Sequence, residues 1–484
     1  MSSVLETDGY KFSMAEAGWP LREETFYYSH RKGGPAVLPI DVEAFIKKNL
    51  PFVNPSDLAY LETNEYNLGI GAQTALGNHR DLKINALPQF SIFYPGEPVF
   101  SITGPSTLVS WLEPKLLQLN WLIQAATLAV SNLDEFRKQM AIRNCAEELL
   151  MLRELLDTLK IKAPPMDARP DEYRRSVFQT AKALVQAVED PERIFEVGLR
   201  SASCRVMHRM ALESCKEAGI KRTSHVDGAR ELRMKPVGTM GHEHVMRYGS
   251  DEAAFRAMRD RRPYRSSYLL DTYDTFLSGL PAAFKVMAES PRRGDSIRYD
   301  SGNKEAQYLY AVSKAKEAGL EPVHILEDAL DLEQTIRFET LRKQLGILAS
   351  QQVYGYGGAL VAKPGFGNLH RDRVAAVYKL SQTGPKAVMK FGNEAKNGKI
   401  SIPGRPVVWR RIGAPGDEPP GVIAQESETF IRGGYQRAAE LTPSLTDLDM
   451  RWIAAENATQ ASVWSGDTII LRNELLAEAR KAIS

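Results

Sequence analysis

The chain has 484 residues, 43% hydrophobic and 25% charged, which suits a globular protein long enough for two or three domains. Lys and Arg number 62 against 60 Asp and Glu, a net charge of +2, which argues against nucleic-acid affinity built on phosphate neutralisation. Cys145, Cys204 and Cys215 form neither a CxxC pair nor an even disulfide framework, so a reducing compartment is expected.

The opening MSSVLETDGYKFSM lacks a charged start followed by an apolar run, so no signal peptide is expected. The longest apolar window, 121–130, is interrupted by Gln124 and is too short to cross a bilayer. These features predict a soluble, cytoplasmic protein without a membrane or nucleic-acid partner. Residues 20–120 are mixed; 89–93 and 98–102 around Tyr94-Pro95-Gly96-Glu97 read as strand, turn, strand. Helical patterns run from 106 to about 155, and the proline-bearing stretch 162–173 reads as a loop or linker.

After 176 the rhythm changes, and helices alternate with short apolar runs ending in polar or glycine-rich turns. A helix over 305–319 leads into a strand at 322–326 that stops at Glu327-Asp328. A helix over 332–346 leads into a strand at 347–353 that stops at Gly355-Tyr356-Gly357-Gly358. In the segment 236–244, a strand ends at glycine and presents His242 beside Glu243. The endings His242, Asp271, Asp300, Glu327 and Gly355 are spaced by 29, 29, 27 and 28 residues, the repeat of a β/α unit. This predicts an α/β protein with a TIM-like parallel barrel and functional residues at the strands' carboxyl ends. A doubly wound open sheet gives similar spacing. Beyond about 385 the chain is rich in Gly and Pro, with strand-like pieces at 387–390 and 406–410 and an amphipathic helix over 471–483. The expected division is an α+β domain over 1–160, the barrel over 161–385, and a segment over 386–484 that packs beside the first.

Carboxylates converging on a barrel mouth suit a divalent cation or the hydroxyls of a sugar. The glycines at 355–358 offer backbone N–H groups to a phosphate, and Arg200 is a candidate bidentate anion clamp. Together these describe a phosphorylated sugar. Each ending alone has a plainer explanation as a helix cap, and five in phase exceed what capping requires. His79, His208, His324 and His370 read as structural or surface residues, and the basic run 256–265 as a solvated helix face.

The motifs Thr7-Asp8-Gly9-Tyr10-Lys11, 26–32, 94–98, Val197-Gly198-Leu199-Arg200, Thr223-Ser224-His225-Val226, 238–243, 271–275, 298–303 and Tyr378-Lys379-Leu380 occur together and in order. In that combination the chain resembles the nicotinate phosphoribosyltransferases, with some features closer to their nicotinamide-using relatives. The resemblance implies an irregular TIM-like barrel with an α+β domain formed by the N- and C-terminal segments. It implies conversion of nicotinate and phosphoribosyl pyrophosphate to nicotinate mononucleotide and pyrophosphate in NAD salvage, with ATP as co-substrate through a phosphohistidine at His242. Mg2+ would arrive with the substrate pyrophosphate, with no metal held by the protein alone. The implied catalytic residues are His242, Glu243, Asp271 and Asp300. The implied substrate contacts are Tyr10, Arg31, Arg200, Ser224, His225, Arg298, Ser301, Gly302, Glu327, Gly357 and Gly358. Tyr10 would stack on the pyridine ring from a neighbouring subunit, implying a homodimer with shared sites.

The chain departs from that pattern at three places. Val197 stands where the family has an aromatic ring, so ring stacking would be one-sided. Thr223-Ser224-His225 replaces the usual TSN, and His225 could face the substrate or be structural. The nicotinamide-using relatives carry aspartate at the position of Ser224, so its absence favours the acid. The alternatives are a nicotinamide phosphoribosyltransferase and a non-catalytic pyridine-nucleotide-binding paralogue; a quinolinate-using enzyme fits less well.

Overall fold

Seven short parallel strands carry the centre of the structure: β1 (Ile194–Glu196), β2 (Arg222–Thr223), β3 (Lys235–Pro236), β4 (Ser267–Leu269), β5 (Ser296–Tyr299), β6 (Val323–Leu326) and β7 (Gln352–Tyr356). The structure is a computed structural model that describes residues 2–141, 146–162, 170–262, 265–289, 294–362, 369–393, 401–411, 421–429, 434–456 and 462–483. The strand order is β3-β2-β1-β7-β6-β5-β4, which is chain order wrapped into a ring and cut between β3 and β4. The last strand returns beside the first, with Tyr354 opposite Ile194 and Tyr356 opposite Glu196. A doubly wound sheet does not close that way, so the architecture is an irregular, open barrel.

The turns after β4, β5 and β6 supply polar caps, Asp274, Asn303 and Asp331, to the helices that follow. Asn303 accepts from the Ala306 N–H at 3.1 Å at the start of Lys304–Glu317, and Asp331 accepts from Gln334 at 2.8 Å at the start of Leu332–Leu345. The latter helix ends at Gly346, whose φ of 71° is the left-handed cap favoured by glycine. A one-turn helix at Ala349–Gln351 delays β7, so this strand runs through Gly355 instead of stopping before it.

The N-terminal region supplies an antiparallel sheet ordered Lys386–Ala387, Val377–Thr383, Glu23–Ser29, Phe100–Pro105, Lys83–Ala86. Residues 377–387, which lie across the expected boundary at 385, therefore pair with the N-terminal region. A C-terminal sheet, centred on Pro406–Arg411 and Gly421–Gln425, packs against it through the buried Glu97 and the Arg410 guanidinium (Nη2 to Oε2, 2.6 Å). Glu97 also accepts from the Tyr94 N–H at 2.8 Å. The expected strand-turn-strand is thereby split between two sheets: Ile92–Phe93 pairs with Ala36–Val37, while Phe100–Pro105 joins the larger sheet.

Helices cover the expected span after 106, as Ser106–Trp111, Glu113–Ser131, Leu133–Ala141, Ala146–Met151 and Arg153–Thr158. Of the expected linker at 162–173, residues 163–169 lie outside the described residues, and Pro170 already opens the helix Pro170–Val188. Cys145, part of the basic run (Pro263 and Tyr264) and residues 363–368 also lie outside them. The final helix is longer than its apolar pattern, spanning Gly466–Ile483. Among the described residues, no helix is long and apolar enough to cross a membrane.

The helix Gly9–Ala17 packs against residues 237–241 at the cut in the ring. Gly9 donates its N–H to the Ser224 carbonyl at 2.7 Å, and Asp8 bridges His225. The backbones approach so closely that a Cβ on Gly238 would lie 2.5 Å from the Gly9 carbonyl carbon. Glycine at both positions therefore sets the distance between this helix and the barrel mouth.

Candidate active site

His242 is the first residue of the helix His242–Tyr248 and follows Gly241, where a Cβ would come within 3.1 Å of the Tyr10 ring. Its Nδ1 lies 3.0 Å from the Thr272 hydroxyl beyond β4. Its Nε2 lies 3.3 Å from Asp300 Oδ2, directly after β5, and 3.7 Å from Asp271 Oδ1. The Lys390 ammonium approaches Nε2 at 2.9 Å and Asp271 Oδ2 at 2.9 Å. Burial, followed by the Lys390 charge, pulls the His242 pKa down to about 4 against the opposing pull of Asp271 and Asp300. The imidazole is therefore neutral near pH 7.

Burial resists ionisation of Asp300, but Arg298, His242 and Lys390 together outweigh it and hold the carboxyl well below the usual range. Burial likewise resists ionisation of Asp271, which His242 and Lys390 nonetheless lower, and the Ser301 hydroxyl donates to it. Arg298, on β5, ties the mouth together. It donates to Asp300 at 2.7 Å, to the Thr239 hydroxyl and Met240 carbonyl at 2.9 Å each, and lies 3.1 Å from Glu327. The glycine-bearing run before His242 is thus clamped by an arginine from two strands away. Burial raises the pKa of Glu327, with Arg298 opposing.

A second cluster adjoins the first. The Arg200 guanidinium lies 5.3 Å from the Tyr10 ring centre, 3.3 Å from Asp8 and 3.5 Å from Glu113. The Tyr10 hydroxyl hydrogen-bonds Glu113, which Lys11 pairs at 2.6 Å. Burial alone would raise the pKa of Glu113, and Lys11, Arg200 and Lys379 instead drive it far down. Burial pushes Lys379 down to about 7, helped by Arg31, Lys390 and Arg200 against Glu113. Lys379 thus gathers with Arg31, Lys390 and Arg200 on one side of the mouth, cations that an anion would meet there.

The sequence-based site residues fall into three groups. His242, Asp271, Asp300, Arg298, Ser301 and Glu327 converge on one mouth; Gly302, with φ of 85°, makes the turn after Ser301. Tyr10, Arg200, Ser224 and Arg31 surround its flank, Arg31 beside Tyr27 and Lys379. Gly357 caps the four-residue helix Gly358–Val361, and a Cβ on Gly358 would face Asp372 at 3.4 Å, an acid where a phosphate was expected.

Two expectations, for Glu243 and His225, are corrected. Glu243 turns away from His242 and pairs with Lys11 at 3.1 Å, because consecutive helix residues point in different directions; Asp300, Thr272 and Lys390 do the orienting. His225 is buried against His208, 5.1 Å between rings, and near Glu6, so it sits behind the mouth. Tyr10 stands at the mouth of its own chain, its ring centre 5.3 Å from the Arg200 guanidinium. The Ser224 hydroxyl donates to the buried Asp8, whose carboxylate lies beside it. Sequence reasoning also missed Lys390. The available signal was a single charge inside the apolar run Ala387-Val388-Met389-Lys390-Phe391.

His242, Asp271 and Asp300 present ligand atoms within 4.8 Å of one another. With the Lys390 ammonium between His242 and Asp271 and an imidazole in the set, these donors do not fit a resident Mg2+, which takes oxygen ligands in an octahedron.

Fold and site together define an irregular α/β-barrel protein with a charged mouth flanked by its N-terminal helix. No family model matches the chain. The chain is 25% identical over 265 residues to the nicotinate phosphoribosyltransferase of Bacillus subtilis, covering 52% of each, so it spans about half the length of that relative. It is 23% identical over 386 residues to the nicotinate phosphoribosyltransferase of Bos taurus, covering 75% of this chain and 69% of the other. Its fold matches the nicotinate phosphoribosyltransferase of Porphyromonas gingivalis with a TM-score of 0.58 at 17% identity, over 83% of this chain and 96% of that one. The Vibrio cholerae enzyme of the same name gives 0.55 at 16%, over 81% and 88%. Sequence and fold point the same way: the proteins this chain is similar to are nicotinate phosphoribosyltransferases, and the likeness to the solved structures is one of fold.

Proposed function

We propose that the protein joins nicotinate to phosphoribosyl pyrophosphate, releasing pyrophosphate and nicotinate mononucleotide in NAD salvage, and couples the reaction to ATP through His242. The observation that carries this reading is a neutral imidazole whose Nε2 faces two ionised carboxylates and an ammonium at a barrel mouth. In this reading the pyridine ring lies near Tyr10 and Arg200. Its nitrogen attacks C1′ of the ribose as the bond to pyrophosphate breaks. Asp271 and Asp300 accept from the ribose hydroxyls and stabilise positive charge developing on the ring. Arg31 and Lys379 attract phosphate groups, and Mg2+ enters with the pyrophosphate.

ATP phosphorylates the imidazole, and hydrolysis of that phosphoimidazole drives the coupled step. Replacing His242 by Ala is expected to abolish stimulation by ATP while leaving slower transfer without it. Undiminished stimulation in the variant would refute the coupling. One observation favours a second reading, transfer to nicotinamide: Asp8 beside Ser224 offers a carboxylate to an amide N–H.

A further inference from the structure

We propose that Lys390 is a positioning residue that selects Nε2 as the reactive nitrogen of His242 and then pairs with the phosphoryl group that nitrogen receives; the second half rests on the phosphohistidine reading above. An ammonium has three donors and no acceptor, so at 2.9 Å from Nε2 it requires a lone pair there. The proton of the neutral imidazole then sits on Nδ1, where the Thr272 hydroxyl at 3.0 Å accepts it. Without Lys390 the opposite tautomer is favoured, because Asp300 at 3.3 Å accepts from a protonated Nε2 and the Asp271 charge at 3.7 Å attracts the same proton. The two carboxylates alone would turn the nucleophilic nitrogen into a donor, and Lys390 reverses that preference.

The lysine cannot drift to solvent without cost. Its side chain is 5% exposed and pinned by Asp271 at 2.9 Å. The segment that carries it is itself anchored, since the Lys390 N–H donates to the Ser401 hydroxyl at 3.1 Å. In the transfer step, the Nε2 lone pair forms the N–P bond. The electron pair of the broken P–O bond leaves on ADP, and the ring takes up the positive charge with its Nδ1 proton still shared with Thr272. The new phosphoryl oxygens then lie beside the same ammonium, which exchanges a lone-pair contact for a charge pair while Asp271 keeps it in place.

The groups facing His242 are Lys390, Asp271, Asp300 and Thr272, with Arg298 behind Asp300. The test is nitrogen-15 NMR of histidine-labelled protein, with the His242 signal assigned by its loss in His242→Gln. In the wild type near pH 7, Nε2 should resonate as an unprotonated imidazole nitrogen and Nδ1 as a protonated one. The reverse assignment would overturn the proposal without any variant. In Lys390→Met the proton should move to Nε2 and the His242 titration should rise by at least a unit; Lys390→Arg should keep the wild-type tautomer. Acid-quenched phosphoenzyme formed from ATP should fall at least tenfold in Lys390→Met and recover in part in Lys390→Arg. An unchanged tautomer and titration in Lys390→Met would refute the positioning role. If the tautomer moves as expected but wild type forms no phosphoenzyme, the phosphohistidine reading and the phosphoryl-pairing half fail together, and the tautomer role stands.

Discussion

The helix that begins at His242 is fastened to the N-terminal sheet by a buried ion pair, and removing one partner should cost both stability and activity. Arg247 meets Glu24 through two hydrogen bonds, 2.7 Å at Nε and 2.9 Å at Nη2, with side chains 2% and 0% exposed. Replacing Arg247 by Met strands the Glu24 carboxylate, leaving it the Thr383 hydroxyl at 2.8 Å as a donor. Breaking a pair of this kind costs about 3–5 kcal/mol, because the remaining charge stays buried. With an unfolding entropy of about 2 cal/mol/K per residue, a 484-residue chain loses roughly 1 kcal/mol per degree near its midpoint, so Tm should fall by about 3–5 °C. Adding Glu24→Gln to the Arg247→Met chain removes the stranded charge and should restore at least half of that loss. Scanning calorimetry gives the stability, and initial rates at 25 °C show whether loosening the helix also slows turnover below the transition. If the single and double variants melt together within a degree of wild type, the pair does not fasten the site helix and the reasoning fails.

Gly238→Ala would press a methyl group to 2.6 Å from the Tyr10 amide nitrogen, where backbone cannot yield, at a cost of about 1–3 kcal/mol. The Tyr10 helix should move, raising KM for the ring substrate more than KM for the phosphoribosyl donor; an equal rise in both would contradict the placement. Acid should destabilise the fold steeply. Burial lowers His30, His225, His244 and His324 to about 3 and His242 to about 4, so below pH 6.5 these take up protons once unfolded but not while folded. Asp251, raised by burial to about 7, and Asp227, raised to about 6, act in the opposite sense, leaving a net uptake of about three protons on unfolding near pH 5. Stability is then lost as pH falls from 6.5 toward 4, at about 4 kcal/mol per unit near pH 5. A Tm that stays flat between pH 7 and 4.5 would contradict it.

The β/α rhythm was legible because several barrel strands are short apolar runs that leave through a polar turn into a helix. Asp271, Asp300 and Glu327 stand in phase at those exits, while the capping itself falls to Asp274, Asn303 and Asp331 a few residues further on. Ring closure was not legible, because spacing is the same in an open sheet and pairing of β7 with β1 is a long-range event. The hairpin expectation at 89–102 failed for the same kind of reason. The turn residues were present, but Glu97 is claimed by Arg410, some three hundred residues away in sequence. Lys390 was invisible to motif reading, since its meaning lies in the carboxylate and imidazole it meets. Glu243 misled because adjacency in sequence is not adjacency in space on a helix.

Phosphoribosyl transfer at this mouth is tested by a paired assay of the purified protein with phosphoribosyl pyrophosphate and Mg2+, offering nicotinate and nicotinamide separately, with and without ATP. Nicotinate should yield nicotinate mononucleotide and pyrophosphate, formed faster with ATP. Product from nicotinamide instead would show that Asp8 beside Ser224 sets the ring choice, and no product from either ring would contradict the assignment of this mouth to phosphoribosyl transfer.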